Sequence, residues 1–127
     1  MKALKISTTG KITALKDTSL ESLQTEVDGW VQAVDLDGLT LWCNEEGKMN
    51  GLSHNPYAQG LWDAVYGAET DYIVGDIVLT GGTDEEGEII PLTQNEAFSI
   101  KKTVSFLAEL RKNVAGKTQA ITTTKKN

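Results

Sequence analysis

The chain has 127 residues, of which 18 are acidic and 12 basic, so its net charge at neutral pH is −6. This length fits a single domain, and the acidic balance argues against direct binding of nucleic acid, which needs an excess of lysine and arginine. The one cysteine, Cys43, excludes an intramolecular disulfide and favours a reducing compartment such as the cytoplasm. No apolar run approaches the roughly 20 residues of a membrane span, so we expect no membrane partner.

The charges are segregated along the chain. Residues 17–100 contain 17 acidic side chains and a single basic one, Lys48, which gives this segment a net charge of −16. The remaining residues carry 11 basic side chains and one acidic one, Glu109. Residues 115–127 are rich in Thr and Lys and show no apolar periodicity. We therefore expect one α+β domain over residues 1–113, followed by a basic, flexible tail over residues 114–127.

The first predicted elements are a β-hairpin and a helix. Apolar residues on both sides of the turn at residues 8–10 predict a hairpin over residues 1–15, with Leu4 and Ile6 on the same face. Residues 18–21 form a capping-box pattern, in which Thr18 and Glu21 would each satisfy a free backbone N–H. The helix that follows has an apolar stripe and ends at Asp28-Gly29; the stripe consists of Leu20, Leu23 and Val27.

A second hairpin and a second helix come next. Two β-rich runs, residues 30–36 and 39–43, flank Asp37-Gly38, which suits a type I′ turn. After a loop over residues 44–53, Asn55-Pro56 predicts a helix start, with Asn as the N-cap and Pro at the first helical position. We expect this helix to end at Gly67 and to bury three apolar side chains: Leu61, Trp62 and Val65.

The last predicted elements are a third strand pair and a long helix. Residues 72–80 and 88–92 read as strands joined by an acidic turn, with Pro91 placing the second strand at an edge. Residues 93–96 form another capping box, and the following helix has an apolar face made of Ala97, Ile100, Val104, Leu107 and Leu110. Hairpins dominate, which predicts the α+β class: a small antiparallel sheet built from hairpins, with two or three helices packed on it.

The sequence offers little for catalysis or metal binding. Cys43 and His54 are the only residues of their types, and no pattern around them indicates a nucleophile with an oriented base. One Cys and one His make a zinc site implausible, and residues 35–38 do not continue as a calcium loop. The acidic run at residues 84–88 is typical of a solvated hairpin tip. We therefore expect no metal, no cofactor and no catalytic residue.

Residues 42–56 are the most informative segment. They combine the only cation of the acidic body with amides, carboxylates and glycines, and tryptophans at positions 30 and 42 flank them across the predicted hairpin. Indole faces beside amides and a lysine suit a nucleobase or an ADP-ribose-like ligand. In the other interpretation, the tryptophans belong to the core and the Asn and Gly residues set turns. The candidate ligand-binding residues are Trp30, Trp42, Asn44, Glu45, Glu46, Lys48 and Asn55.

An ordered series of short motifs carries a family resemblance. Its most specific part is Asn44-Glu45-Glu46-Gly47-Lys48 with Gly51-Leu52 and Asn55; the rest is Leu23-Gln24, Gly29, Gly75-Asp76, Gly81 and Glu86-Gly87. Over about residues 18–92 the chain resembles a family of small proteins from phages, plasmids and Gram-positive bacteria that is known only as a domain of unknown function. Family members often have Gly-Gly where this chain has Asp28-Gly29. The resemblance implies a mobile-element setting and supplies no catalytic residues.

These observations lead to one main hypothesis and two others. We expect a non-enzymatic phage or mobile-element accessory protein in the host cytoplasm, which binds a small nucleotide and so sequesters a host immune signal. Because Lys48 is the only cation nearby, backbone N–H groups or a second subunit of a homo-oligomer would have to help hold an anion. The second hypothesis is an acidic mimic of nucleic acid that inhibits a host DNA-binding or restriction protein. The third is a small hydrolase that uses Glu45 or Glu46.

Overall fold

The computed structural model describes residues 1–125, with side chains described through Val114. The elements in chain order are β1 (Ala3–Ile6), β2 (Ile12–Leu15), α1 (Leu20–Val27), β3 (Val31–Leu36), β4 (Leu39–Asn44), α2 (Pro56–Tyr66), β5 (Ile77–Gly81) and α3 (Gln94–Lys125). The strands form one five-stranded sheet in the order β2-β1-β5-β4-β3, and every pairing is antiparallel. The predicted α+β class is confirmed.

The sheet has a core on each face, because successive side chains of a strand point to opposite sides. The larger core is covered by α2 and α3, and its fully buried strand residues are Leu4, Ile6, Leu41, Ile77 and Leu79. The smaller core lies on the other face, where Leu23 and Val27 of α1 pack against Ala3 and Val78. Neighbouring residues of β4 therefore belong to different environments.

Two local signals in the sequence are confirmed in detail. Asp37 and Gly38 have positive φ values of 52° and 90°, as the predicted hairpin turn between β3 and β4 requires. At the start of α3, the hydroxyl of Thr93 accepts the Glu96 N–H at 3.1 Å, and the Glu96 carboxylate accepts the Thr93 N–H at 2.9 Å. The second capping box thus satisfies two backbone donors that the first turn of the helix leaves free.

The predicted cap of α1 is wrong by one residue. Ser19, not Thr18, precedes the first helical residue, and its hydroxyl accepts the Ser22 N–H at 3.2 Å. The carboxylate of Asp17 accepts the Ser19 N–H at 2.8 Å and so fills the reciprocal role that the sequence pattern assigned to Glu21. The sequence predicts a polar cap here, but two hydroxyl residues in a row leave its exact position open.

The predicted third strand pair is present only as a short hairpin over residues 82–90, and residues 88–92 do not form a strand paired with β5. β5 begins at Ile77 and lies in the middle of the sheet between β1 and β4, so residues 88–92 find no free edge beside it. The turn is closed instead by a bridge between Thr83 and Ile89 and by a bond from the Ile90 N–H to the Gly82 carbonyl at 2.8 Å, and the Leu92 N–H then donates to the Lys2 carbonyl at 2.9 Å. Every residue of β5 is buried, which explains its central position.

The second helix begins and ends as predicted, after Asn55 and before Gly67, but it buries different side chains. Its buried residues are Tyr57 and Ala58 in the first turn, whereas Leu61 and Trp62 are half-buried and Val65 is exposed. Within the described residues, no helix is both long enough and apolar enough to cross a membrane. The predicted tail over residues 114–127 falls largely outside the described side chains, and its flexibility stays a prediction.

Candidate functional site

A small pocket lies where the ends of β3 and β4 meet the segment that follows α2. Its volume is about 210 Å³. Half-buried Val34, Cys43 and Trp62 form its inner part, and its exposed rim carries Gln32, Glu45, Lys48, Asp71 and Tyr72. We call this cavity the β3/β4 pocket.

Helix α2 holds one wall of the pocket in place. The amide of Gln59 donates to the Asp71 carbonyl at 2.9 Å and accepts the Ile73 N–H at 2.9 Å, so one side chain fixes both ends of this short segment. The indole N–H of Trp62 donates to the Thr70 hydroxyl at 2.9 Å. The wall is therefore built from tertiary hydrogen bonds rather than from regular secondary structure.

An ion pair crosses the rim. The ammonium group of Lys48 donates to the carboxylate of Asp71 and lies 4.9 Å from the centroid of the Tyr72 ring. The hydrogen bond from Lys48 holds the pKa of Asp71 below its ordinary value. Both side chains are nearly half exposed, and pairs of this kind contribute at most about 1 kcal/mol. The contact can therefore open at little cost.

Asn44 ties the end of β4 to the end of α1. Its amide donates to the Val27 carbonyl at 3.1 Å and the Asp28 carbonyl at 3.0 Å, and its oxygen accepts the Glu46 N–H at 2.8 Å. A Cβ on Gly29 would lie 2.7 Å from the Asn44 amide nitrogen, so the contact requires glycine there. Asn44 borders the pocket, but both of its N–H groups are already used.

Asn55 is fully buried at the other end of the motif. Its amide donates to the carbonyls of Ile6 at 3.1 Å and Gly75 at 2.9 Å, and its oxygen caps α2 by accepting the Ala58 N–H at 3.1 Å. Between the two asparagines, Gly47 approaches Val74 so closely that a Cβ would lie 2.9 Å from its methyl group. Much of the motif therefore serves to dock the loop at residues 44–55 against the pocket wall.

The candidate residues from the sequence fall into two groups. Asn44, Glu45 and Lys48 border the β3/β4 pocket. The other four do not: Trp30, Trp42, Glu46 and Asn55.

The two candidate tryptophans lie outside the pocket for different reasons. Trp42 lies on the α1 face of the sheet and donates its indole N–H to the Thr80 hydroxyl at 2.9 Å. Trp30 is 67% exposed, and its carbonyl accepts the Glu45 N–H at 2.8 Å. Neither indole is placed to stack on a ligand in the pocket.

Cys43 lies in the inner part of the pocket, but its surroundings do not activate it. Burial raises the pKa of its thiol, and the nearby Asp71 carboxylate raises it further. His54 hydrogen-bonds Gln59 at 3.1 Å and packs beside Tyr72, with ring centroids 6.2 Å apart. In the part of the chain that the structure describes, no group of three or more Cys, His, Asp or Glu residues is arranged to hold a metal ion.

Eight pocket residues were not among the candidates from the sequence; the four of them whose side chains carry an aromatic ring, an amide or a carboxylate are Gln32, Trp62, Asp71 and Tyr72. Gln32 could have been found, because it pairs with Cys43 across the hairpin and alternation puts Val34 on the same face. The other three come from segments whose docking depends on long-range contacts. Their only signal was two aromatic residues on either side of a predicted helix end.

Comparison with known proteins gives a family but no activity. A family model described as a domain of unknown function (DUF3846) matches residues 1–105, which include every residue of the pocket. No curated protein matches the chain, and no solved structure matches it.

Proposed function

The chain belongs to this family, whose description names no activity, and we propose from its pocket that it acts by binding, without catalysis. The ligand is a small nucleotide or nucleoside whose base enters the β3/β4 pocket. The observation that carries the proposal is the pairing of aromatic walls, Trp62 and Tyr72, with hydrogen-bonding side chains on the same rim. Aromatic walls offer stacking to any base, and polar groups select among bases.

The volume of the pocket limits how much of a ligand it can enclose. Sites for drug-sized ligands have volumes of roughly 300–1,000 Å³, and this one has about 210 Å³. One base fits such a volume, whereas a whole cyclic dinucleotide or ADP-ribose does not. The sugar and any phosphates would lie outside, over the exposed rim.

The charges of the rim further limit the chemical class of the ligand. The pocket is lined by two carboxylates, Glu45 and Asp71, and by the single ammonium group of Lys48, which is already paired with Asp71. Carboxylates accept hydrogen bonds from the N–H groups of a base but repel phosphate. We therefore expect nucleosides to bind at least as tightly as the corresponding nucleotides.

Binding is favoured over hydrolysis by the positions of the two candidate carboxylates. Glu45 borders the pocket, but Glu46 does not, so the pair does not face one ligand from two sides. Both side chains are exposed. A hydrolase needs an acid and a base within reach of the same bond, and this pair does not supply them.

Isothermal titration calorimetry tests the proposal. The full chain is titrated with adenine, adenosine, guanosine, the matching monophosphates, a cyclic dinucleotide and ADP-ribose. We expect heat of binding with at least one nucleoside, and about tenfold or greater weakening in Tyr72→Ala, since base stacking contributes roughly 1–3 kcal/mol. Trp30→Ala is the matched control and leaves binding unchanged. Absence of heat across the whole panel would overturn the proposal.

The biological use that we propose is sequestration of a host signal. If a phage or another mobile element carries this chain, capture of a nucleotide messenger would blunt a host defence pathway. Cells that express the protein should then lose protection against a phage that the pathway restricts, and Tyr72→Ala should restore protection. Equal protection with and without the protein argues against this use.

A second function is favoured by a separate observation. Among the described residues, the acidic side chains that form ion pairs are Glu26, Asp71 and Asp76, which leaves most of the acidic body without a paired cation. Such a surface suits a mimic of nucleic acid that occupies a basic host protein. Pull-downs from host lysate at low salt should then recover a basic protein that is released as salt increases, and Tyr72→Ala should not affect it. Recovery of no basic protein contradicts this function.

A further inference from the structure

Helix α3 carries a second row of side chains besides the one that enters the core. Its buried row consists of Ala97, Ile100 and Val104. The second row is made of Ser99, Thr103, Phe106 and Leu110, at spacings of four, three and four residues. This alternation of four and three is the pattern by which one helix packs along another.

The two halves of this row have opposite shapes. In the first half, small side chains border an open groove of about 390 Å³, whose apolar lining comes from Leu39, Leu61 and Ile100. In the second half, Phe106 is 65% exposed and Leu110 is 48% exposed. Exposure of large apolar side chains to water is unfavourable. The groove of a second copy of the chain would bury them.

The charges differ between the halves in the same way. The groove is bordered by the carboxylates of Asp37 and Glu96. The turn that contains Leu110 also holds Glu109, Arg111 and Lys112, for a net charge of +1, and the Arg111 guanidinium lies over the Tyr57 ring, 5.7 Å from its centroid. The border of the groove is therefore negative and the protruding turn carries a small net positive charge, so the two ends have opposite signs where they would meet between two molecules.

We propose that these features form a homodimer interface, in which the α3 helices of two copies pack antiparallel about a two-fold axis. Such an axis makes the contact self-complementary, because the protruding end of each copy meets the groove of the other. Ser99 and Phe106 are seven residues apart, or about 10 Å along the helix. An axis near Thr103 therefore brings the Phe106 of each copy opposite the Ser99 and groove of the other.

The test is sedimentation equilibrium of the full chain between 1 and 200 μM, with two matched variants. The wild type should form a species of twice the 13.8 kDa chain mass. Phe106→Glu should raise the dimer dissociation constant at least about tenfold, because it places a charge in an apolar contact. Phe98→Glu is the control: Phe98 is equally exposed, at 67%, but lies outside the row, and its variant should dimerise like the wild type.

A third variant tests whether the groove itself, rather than the helix surface in general, forms the contact. Thr103→Phe fills the groove from its own helix, so it should weaken the dimer while circular dichroism shows an unchanged fold. A wild type that is monomeric up to 200 μM overturns the proposal. So does equal weakening by Phe98→Glu and Phe106→Glu, or a dimer that tolerates Thr103→Phe.

Discussion

Asn55 joins three segments through one buried side chain. It caps α2 and donates to carbonyls of β1 and of the segment before β5. We predict that Asn55→Ala lowers the free energy of unfolding by about 2–4 kcal/mol, because it removes a cap and leaves two buried carbonyls without their donor. Urea unfolding followed by circular dichroism measures the loss.

Asn50 provides the control for this prediction. It lies in the same loop but is exposed, and the hydrogen bond recorded for it comes from its backbone N–H. Asn50→Ala should change stability by less than about 0.5 kcal/mol. Similar losses in the two variants would mean that the free energy of unfolding depends on the loop as a whole and not on the buried amide of Asn55.

The Lys48–Asp71 pair should appear in the pH dependence of stability. Because the pKa of Asp71 is lowered in the folded protein, protonation favours the unfolded chain. The contribution is complete above the ordinary aspartate pKa of about 3.9 and disappears as pH falls through the lower, folded value. Wild type should therefore exceed Asp71→Asn in stability at pH 7, and the difference should vanish in strong acid.

Urea unfolding of both proteins between pH 7 and pH 2 measures this difference. Its size should be no more than about 1 kcal/mol, since the pair is largely exposed. Salt should reduce it at pH 7. A difference that grows as the pH falls below 4 contradicts the assignment of the depressed pKa.

The roles of the motif residues could be predicted only in part. The cap at Asn55-Pro56 has a local signature, and the helix begins there. The bonds from the same side chain to Ile6 and Gly75 have none, because they join residues far apart in sequence. Asn44 is a similar case: its partners are the last carbonyls of α1, which only the folded chain brings close.

At the scale of elements, the N-cap of α1 is Ser19 in the structure, whereas the sequence pattern predicts Thr18. We predict that Ser19→Ala lowers the free energy of unfolding by about 1 kcal/mol, because the Ser22 N–H loses its acceptor. Thr18→Ala should cost less than about 0.5 kcal/mol, since Thr18 lies outside the cap. Thermal or urea unfolding of the two variants decides between them. A larger loss for Thr18→Ala would support the original capping-box position.

Elements with local signals were predictable, and those defined by distant pairing were not. The Asp37-Gly38 hairpin and the start of α3 depend on residues a few positions apart. The partners of β5 are β1 and β4, and its register with β1 joins residues more than 70 positions apart. No turn residue specifies such a pairing; it follows from burying β5 on both faces.

At the scale of the whole molecule, the dominant feature is the unpaired negative charge of residues 17–100. We predict that raising NaCl from 10 to 200 mM stabilises the protein by about 0.5 kcal/mol, because salt screens repulsion among carboxylates. Urea unfolding at pH 7 and low protein concentration measures the change. Destabilisation by salt would mean that the few ion pairs outweigh the repulsion.

The location of the pocket shows why the binding site is harder to predict from the sequence than the fold is. Charge and motif led to residues 42–56, and Glu45 and Lys48 do border the β3/β4 pocket. Alternation along β4 sends Trp42 and Cys43 to opposite faces, a consequence of strand geometry that the sequence could have yielded. The aromatic wall comes from Trp62 and Tyr72, which reach the pocket through the packing of α2 on the core and the hydrogen bonds that dock the segment after it.

The three tryptophans report directly on where a ligand binds. Trp62 lines the β3/β4 pocket, Trp42 lies on the other face of the sheet, and the side chain of Trp30 is exposed to solvent. The decisive measurement is a ¹H–¹⁵N NMR titration of the indole N–H signals with the nucleoside that gives heat in calorimetry, or with adenosine. The signal of Trp62 should shift in a saturable way while those of Trp30 and Trp42 stay in place. Saturable shifts at Trp30 or Trp42 with Trp62 unmoved, or no shift at all, would contradict the assignment of this pocket as the binding site.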